Sequence, residues 1–232
     1  MRIIKAKDIA GMAQAAVNAL TQQIGKTLEE KELCVLAVPG GRSVVPIFAL
    51  LADERRIPWK KVHVFIVDER LVPLTDPESN GKLVREGFVD ALIKAGQMQE
   101  GNFHPFIYRP EAKDKGADVY WKELQRFGGA YDVILLSSGE DGHVGGLYPG
   151  HHSVKDDAEG YIWMSDSPKP PPQRMSSSRR LMLRSSRGVL LFMGEAKRDS
   201  FKRFLDPSVE VPACPAKIAS MLPEAVVITD LH

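Results

Sequence analysis

YDVILLSSGEDGHVGGLYPG, residues 131–150, joins an apolar run to a glycine-rich exit. The first half shows no alternation of polar and apolar residues. That pattern predicts a strand buried on both faces, as in parallel sheets covered by helices. Sites in such sheets lie beyond the carboxyl ends of the strands. The exit loop therefore puts His143, preceded by Asp141 and Gly142, where chemistry is expected. A histidine titrates near neutrality and suits general base catalysis on water. Asp141 is suited to orient its ring or hold its proton, and the surrounding glycines leave room for a substrate.

The same grammar recurs outward from this stretch. ELCVLAV (32–38) stops at Pro39-Gly40-Gly41, VHVFIVD (62–68) runs into DERLVPLTDPESN, and GVLLFMG (188–194) leads into EAKRDSFKRFL. GYIWMSD (160–166) is a further apolar segment, and AVVITD (225–230) closes the chain. Residues 8–25, with Asp8 placed as a cap, together with 45–56, 82–95 and 111–127, have helical spacing. Strands alternating with helices predict an α/β, Rossmann-like fold: a largely parallel open sheet with helices on both faces. No internal repeat or long linker divides the chain, so residues 1–232 are expected to form a single domain.

Composition narrows the function. A net charge of +1 gives no global field for nucleic acid or an anionic membrane, so anion recognition must be local. The amino terminus is interrupted by Lys5, Lys7 and Asp8 and lacks the apolar run of a signal peptide or spanning helix. Cys34 and Cys214 are far apart in sequence, which fits reduced thiols and a cytoplasmic location. A monomer or weak homodimer is expected. No histidine pair has zincin spacing, neither cysteine has a nearby partner, and His151-His152 is merely an adjacent pair, so neither metal nor cofactor is expected.

Other strand exits carry further candidates. Gly40, Gly41, Arg42 and Ser43 offer backbone N–H groups, a guanidinium and a hydroxyl to an anion at a helix start. Asp68, Glu69 and Arg70 crowd one strand end, with Asn80 returning shortly after. Internal pairing with Arg70 explains the trio as well as binding of a polyhydroxylated ligand does. From Lys169 to Arg187 the chain is basic with no acid. Arg174 follows the stiff Pro170-Pro171-Pro172 and Lys197 follows Gly194; both are candidate phosphate cations. The Ser176-Ser177-Ser178 run has the composition of a turn that is mobile until phosphate binds.

Together these motifs resemble the 6-phosphogluconolactonase family, within the larger group that contains glucosamine-6-phosphate deaminase. The resemblance runs from Gly40 to about Pro212 and rests on DERLVP with Ser79-Asn80, GEDGH continuing into LYPG, and SPKPPPQR, in family order. It implies a phosphorylated sugar lactone as substrate and His143 as general base with Asp141 beside it. It implies Arg70 near the lactone carbonyl. Gly41, Arg42, Ser43, Arg174 and Lys197 would surround the phosphate, while Asp68 and Asn80 would shape the site. Several residues depart from the family pattern: Ser137-Ser138, Glu140, Gly145-Gly146, Tyr148 in place of Phe, and Met175 to Ser178. The rival within the group is a glucosamine-6-phosphate deaminase. Arg70, where deaminases carry Tyr, and Leu147-Tyr148-Pro149 both favour the lactonase. A sugar-phosphate sensor and an RNA binder using residues 169–187 are competing readings of another kind; the near-neutral charge and the absence of aromatic residues from that strip oppose the RNA binder.

Overall fold

The apolar runs form the centre of a seven-stranded sheet in the computed structural model, which describes residues 1–231. In chain order the strands are β1 (Arg2–Lys5), β2 (Cys34–Val38), β3 (Val62–Ile66), β4 (Asp68–Arg70), β5 (Phe103–His104), β6 (Val133–Ser137), β7 (Tyr161–Met164), β8 (Arg174–Ser177), β9 (Arg187–Phe192) and β10 (Glu224–Thr229). The helices are α1 (Ile9–Glu30), α2 (Val45–Leu51), α3 (Asn80–Val84), α4 (Asp90–Lys94), α5 (Ala117–Gln125), α6 (Arg179–Leu183) and α7 (Arg198–Leu205).

The large sheet has the order β1-β10-β9-β6-β2-β3-β5, and every neighbouring pair is parallel. From β2 the chain winds outward through β3 to β5. It then crosses back to β6 and winds the other way through β9 and β10. The direction therefore reverses between β2 and β6, where the two exit loops diverge and leave a crevice. Each face of the sheet carries its own apolar core. One is built on Met12, Leu20, Phe48, Trp59 and Phe88, the other on Phe106, Tyr120, Tyr131, Phe192 and Phe204.

Asp8 caps α1 as its position suggests, its carboxylate accepting from the Gly11 N–H at 2.8 Å. The apolar face of α1 packs on β10, β9 and β6. Other boundaries shift for local reasons. The helix expected over 111–127 begins only at Ala117, because Lys115 and Gly116 both adopt positive φ and break the run. The helix expected over 82–95 starts at Asn80, where Ser79 caps Lys82, and contains a π turn at Arg85–Val89. The segment expected over 45–56 is helical only to Leu51.

The sequence does not announce the second sheet. β4, β8 and β7 form a separate antiparallel sheet, so GYIWMSD joins this small layer rather than the parallel one. The serine run is likewise no mobile turn. Ser176, Ser177 and Ser178 are fully buried. Ser176 Oγ accepts from the Gly146 N–H at 2.9 Å, Ser177 Oγ donates to Val67 O at 2.9 Å, and Ser178 Oγ caps α6 through the Leu181 N–H at 3.0 Å. The first two hydroxyls tie β8 to the segments that leave β6 and β3 of the large sheet.

Candidate active site

A cleft of about 340 Å³ opens over the carboxyl ends of β2, β3, β6 and β9. Its floor at the switch point is Pro39, Gly40, Gly41 and Ser43 from β2, with Ser137, Ser138, Gly139 and His143 from β6. β9 contributes Lys197, and the small sheet and its approaches add Asp68, Arg70, Asn80, Tyr148, Lys169, Pro170 and Arg174.

The His143 loop is locked from several sides. Gly139 N–H donates to His143 O at 2.8 Å, Gly142 takes φ +87°, and Arg203 holds Asp141 O at 2.5 Å. The His143 ring lies over Gly139 so closely that a Cβ there would fall 2.1 Å from Nδ1. Nδ1 faces Asp141 Oδ1 at 2.5 Å, and the same carboxylate oxygen accepts the His143 backbone N–H at 3.1 Å. Burial opposes ionisation of Asp141. The hydrogen bonds and charge of His143, with Lys169 Nζ 3.7 Å away, outweigh it and hold the carboxyl well below the usual carboxylate range. An ionised Asp141 at Nδ1 fixes the tautomer and leaves Nε2 to act as an acceptor toward the cleft.

Loops from β2 and β9 are built alike. Gly41 (φ +94°) and Gly194 (φ +87°) each precede a three-residue 3₁₀ turn, Arg42–Val44 and Glu195–Lys197, that feeds a helix. Both helices thus point their amino ends toward the cleft rim. Ser43 and Lys197 line the cleft, whereas Arg42 is exposed and lines a neighbouring groove with Glu78 and Leu83. Burial lowers the Lys197 pKa and the nearby Lys169 and Arg42 charges add to this, while Glu140 and Asp141 oppose it. An ammonium so placed gains most from a dianion.

The acid–arginine trio resolves into separate roles. Glu69 does not pair with the Arg70 guanidinium. It is buried beneath α3, where it accepts from Ser79 Oγ and from the N–H groups of Asn80 and Gly81 at 2.7–2.9 Å. Burial raises its pKa, and these bonds partly offset the rise. Asn80, thus fixed, donates through Nδ2 to Asp68 O at 2.8 Å, and it fills space that only a glycine at position 40 leaves open, since a Cβ there would lie 1.8 Å from Asn80 Oδ1. Arg70 and Arg174 are direct cross-strand partners, so both side chains leave the same face. The like charges are separated by acids and carbonyls. Asp68 Oδ2 lies 3.7 Å from Arg174 Nη1, Pro170 O and Pro171 O accept from Arg174, and Arg70 Nη1 donates to Glu78 O at 2.6 Å. Arg70 Nε is buried and has no partner.

The cleft thus gathers every predicted site residue except Arg42 and Asp141, and Asp141 touches it through His143. The sequence marked Ser137, Ser138 and Tyr148 only as departures from the family pattern, and it assigned no site role to them, to Lys169 or to Pro170. Tyr148 is the most informative of these. It is 1% exposed, its ring lies 5.0 Å from that of His143, and its buried hydroxyl makes no well-formed hydrogen bond among the described residues. Its signal was a phenol in an otherwise glycine-rich loop. The far half of the basic strip proves structural: Arg180 and Arg184 both bind Glu159, and Arg187 binds Glu30.

Comparison with known proteins agrees with this geometry. The chain is 31% identical to a 6-phosphogluconolactonase of Borreliella burgdorferi over 84% of this chain and 83% of that one. The fold matches the crystal structure of a 6-phosphogluconolactonase from Thermotoga maritima with a TM-score of 0.84 at 24% identity, covering 98% of each chain. It also matches a monomeric glucosamine-6-phosphate deaminase at 0.81 and 17% identity, covering 99% of this chain and 97% of that one. These two likenesses show the fold, which therefore does not separate the two chemistries. The family model for glucosamine-6-phosphate isomerases and 6-phosphogluconolactonase matches residues 7–227. The chain belongs to the glucosamine-6-phosphate isomerase/6-phosphogluconolactonase family.

Proposed function

We propose that the chain hydrolyses 6-phospho-D-glucono-1,5-lactone to 6-phosphogluconate, the lactone-opening step of the oxidative pentose phosphate pathway. The observation that carries this reading is His143, paired with Asp141, lining one cleft with Arg70 and Lys197. The 31% identical relative bears the lactonase name, and the motif resemblance, with Arg70 after Asp68-Glu69, favours the lactonase over the deaminase branch.

His143 Nε2 takes a proton from water as the water oxygen attacks the lactone carbonyl carbon. Negative charge gathers on the carbonyl oxygen. Arg70, with a guanidinium steered by Glu78 and an unpartnered Nε, is the candidate to meet it; a donor in such a place contributes about 2.7–4 kcal/mol in other enzymes. As the tetrahedral centre collapses the ring C–O bond breaks. The imidazolium returns its proton to the departing oxygen, and the new carboxylic acid ionises. Asp141 stabilises the transient imidazolium throughout. Ser43, Lys197 and Arg174 hold the phosphate, so binding energy remote from the reacting carbon orients the ring.

The same reading puts the enzyme in the cytoplasm, as a monomer or weak homodimer whose partner is a small phosphorylated lactone, without nucleic acid or membrane. The two free, buried thiols, Cys34 and Cys214, suit a reducing compartment. Burial pushes the Cys34 thiol up to about 12, which keeps it unreactive. Among the described residues no helix is long and apolar enough to cross a membrane. Within the basic strip Arg180 and Arg184 are engaged by Glu159 and Arg187 by Glu30, which opposes its use for RNA.

The test uses freshly generated 6-phosphogluconolactone with a buffer blank, because the lactone also opens spontaneously. Acceleration over the blank is expected, with no ammonia released from glucosamine 6-phosphate. The reverse pair of results would reassign the chain to the deaminase branch.

A further inference from the structure

Just behind the Tyr148 wall of the cleft, two loops meet at three side chains outside the reaction scheme. His151 and His152 follow LYPG, and Asp166 opens SPKPPP. One ligand atom from each lies within 4.8 Å of the others. His152 Nε2 is 3.0 Å from Asp166 Oδ1, and His151 Nε2 is 3.4 Å from the same oxygen. Ligand atoms around a tetrahedral zinc, each about 2.0–2.1 Å from the ion, are spaced about 3.3–3.4 Å apart. The two gaps to Asp166 are therefore already close to the edges of such a coordination shell, and the third lies within 4.8 Å.

A hydrogen-bonded ion pair accounts for His152 and Asp166, whereas His151, within ion-pair distance of the same oxygen, makes no hydrogen bond to it. Its Nε2 is buried and completes no hydrogen bond, although it is aimed at the carboxylate. Burial of that kind is costly unless something fills the gap. The ring is anchored at its other nitrogen: Nδ1 lies 3.0 Å from the buried Ser153 Oγ, the kind of acceptor to which a metal-bound histidine donates its remaining N–H, and in the other tautomer it accepts the Ser153 N–H at 3.2 Å. We propose that His151 Nε2, His152 Nε2 and an Asp166 oxygen form a site for a divalent transition-metal ion that favours imidazole, such as zinc.

Occupancy balances without any co-reactant. In neutral His151 the proton sits on Nε2, because Nδ1 accepts the backbone N–H. On metal binding Nε2 releases that proton to water, Nδ1 takes one up and donates it to Ser153 Oγ, and the Ser153 N–H gives up its bond to Nδ1. His152 binds in its neutral form, Asp166 binds ionised, and water takes the fourth position on the exposed side. Hard ions that prefer all-oxygen shells, such as magnesium, find too few oxygens here. The ion would tie the loop carrying Tyr148 to the segment carrying Lys169 and Arg174. It would thereby brace two walls of the cleft without entering it.

The experiment is calorimetric titration of the intact protein with zinc chloride, and in parallel with magnesium chloride, at pH 7.5. One zinc per chain and no magnesium binding are expected. His152→Ala and Asp166→Asn, both at exposed positions and compatible with folding, should each weaken zinc by roughly tenfold or more, the loss that even an outer-shell change causes elsewhere. Cobalt should give the intense visible bands of a tetrahedral site in the wild type and lose them in both variants. His143→Ala should bind zinc as the wild type does, which separates this site from the catalytic pair. Zinc binding unchanged in His152→Ala and Asp166→Asn, or abolished by His143→Ala, would overturn the proposal, as would no binding at all.

Discussion

Two histidine–carboxylate pairs occupy opposite situations in this protein. In the cleft, His143 Nδ1 meets Asp141 at 2.5 Å and its other nitrogen faces open space. Beneath the edge of the large sheet, His104 Nδ1 meets Glu123 at 3.1 Å, but its Nε2 is taken by His63 Nδ1 at 2.9 Å and its ring is stacked on Phe65. Burial, and after it the neighbouring His63, depress the His104 pKa to about 4. The chemical groups match and the outcomes do not. A carboxylate beside an imidazole makes a base only where the second ring nitrogen reaches water and substrate. Where that nitrogen is committed to the protein, the pair is a structural clasp.

Substitution of each histidine should separate the two kinds of pair. His143→Ala should slow lactone turnover by about 10²–10⁴-fold, the usual worth of a general base, while urea midpoints stay near wild type. A large fall in the midpoint instead would make His143 a clasp as well. Lys197→Ala should raise KM by roughly 10- to 100-fold with kcat nearly kept, since a hydrogen bond to a charged group contributes about 1.5–3 kcal/mol. An equal loss in kcat would place Lys197 at the reacting carbon rather than at the phosphate.

His104→Gln should reverse the first pattern, costing about 1–3 kcal/mol of stability through the buried partners it strands, with kcat intact. The wild type should also weaken in acid through this cluster. The unfolded chain protonates this histidine near its ordinary value of 6.5 and the folded one only near 4, so stability is full above the first and falls between them. Urea denaturation at pH 7.5 and pH 5 should show that slope reduced in His104→Gln. Smallest of all, Tyr148→Phe should weaken phosphosugar binding about two- to tenfold and leave the unliganded protein no less stable, because an unpartnered hydroxyl is removed. A stability loss would show that the hydroxyl is already satisfied without substrate.

The parallel strands were legible because burial on both faces leaves a continuous apolar run, as in VILLS of β6. β7 is just as apolar, yet nothing in its sequence says that its partners are the short β4 and β8; pairing is a property of distant residues. β5, two residues long, and β1, mostly exposed, carry too little pattern to register. In the site, His143, Arg70 and Lys197 could be found because charge or imidazole at a strand exit needs a reason, and Arg174 because it follows a stiff proline run. Ser137 and Tyr148 could not, since their chemistry depends on which way the loop turns them. Glu69 is the instructive miss. Beside Arg70 in sequence it suggests an ion pair, but alternation along β4 sends the two side chains to opposite faces, and α3 claims the carboxylate.

The contact between Gly139 and the His143 ring has a genetic consequence. Any codon change at position 139 that adds a side chain pushes a Cβ into the imidazole, which the Asp141 and Arg203 bonds leave little freedom to retreat. In a saturation screen scored by growth on lactone flux, position 139 would group with position 143 as intolerant, although glycine donates no proton and touches no substrate through a side chain. The heritable requirement for a base is thus spread over more of the gene than the base itself.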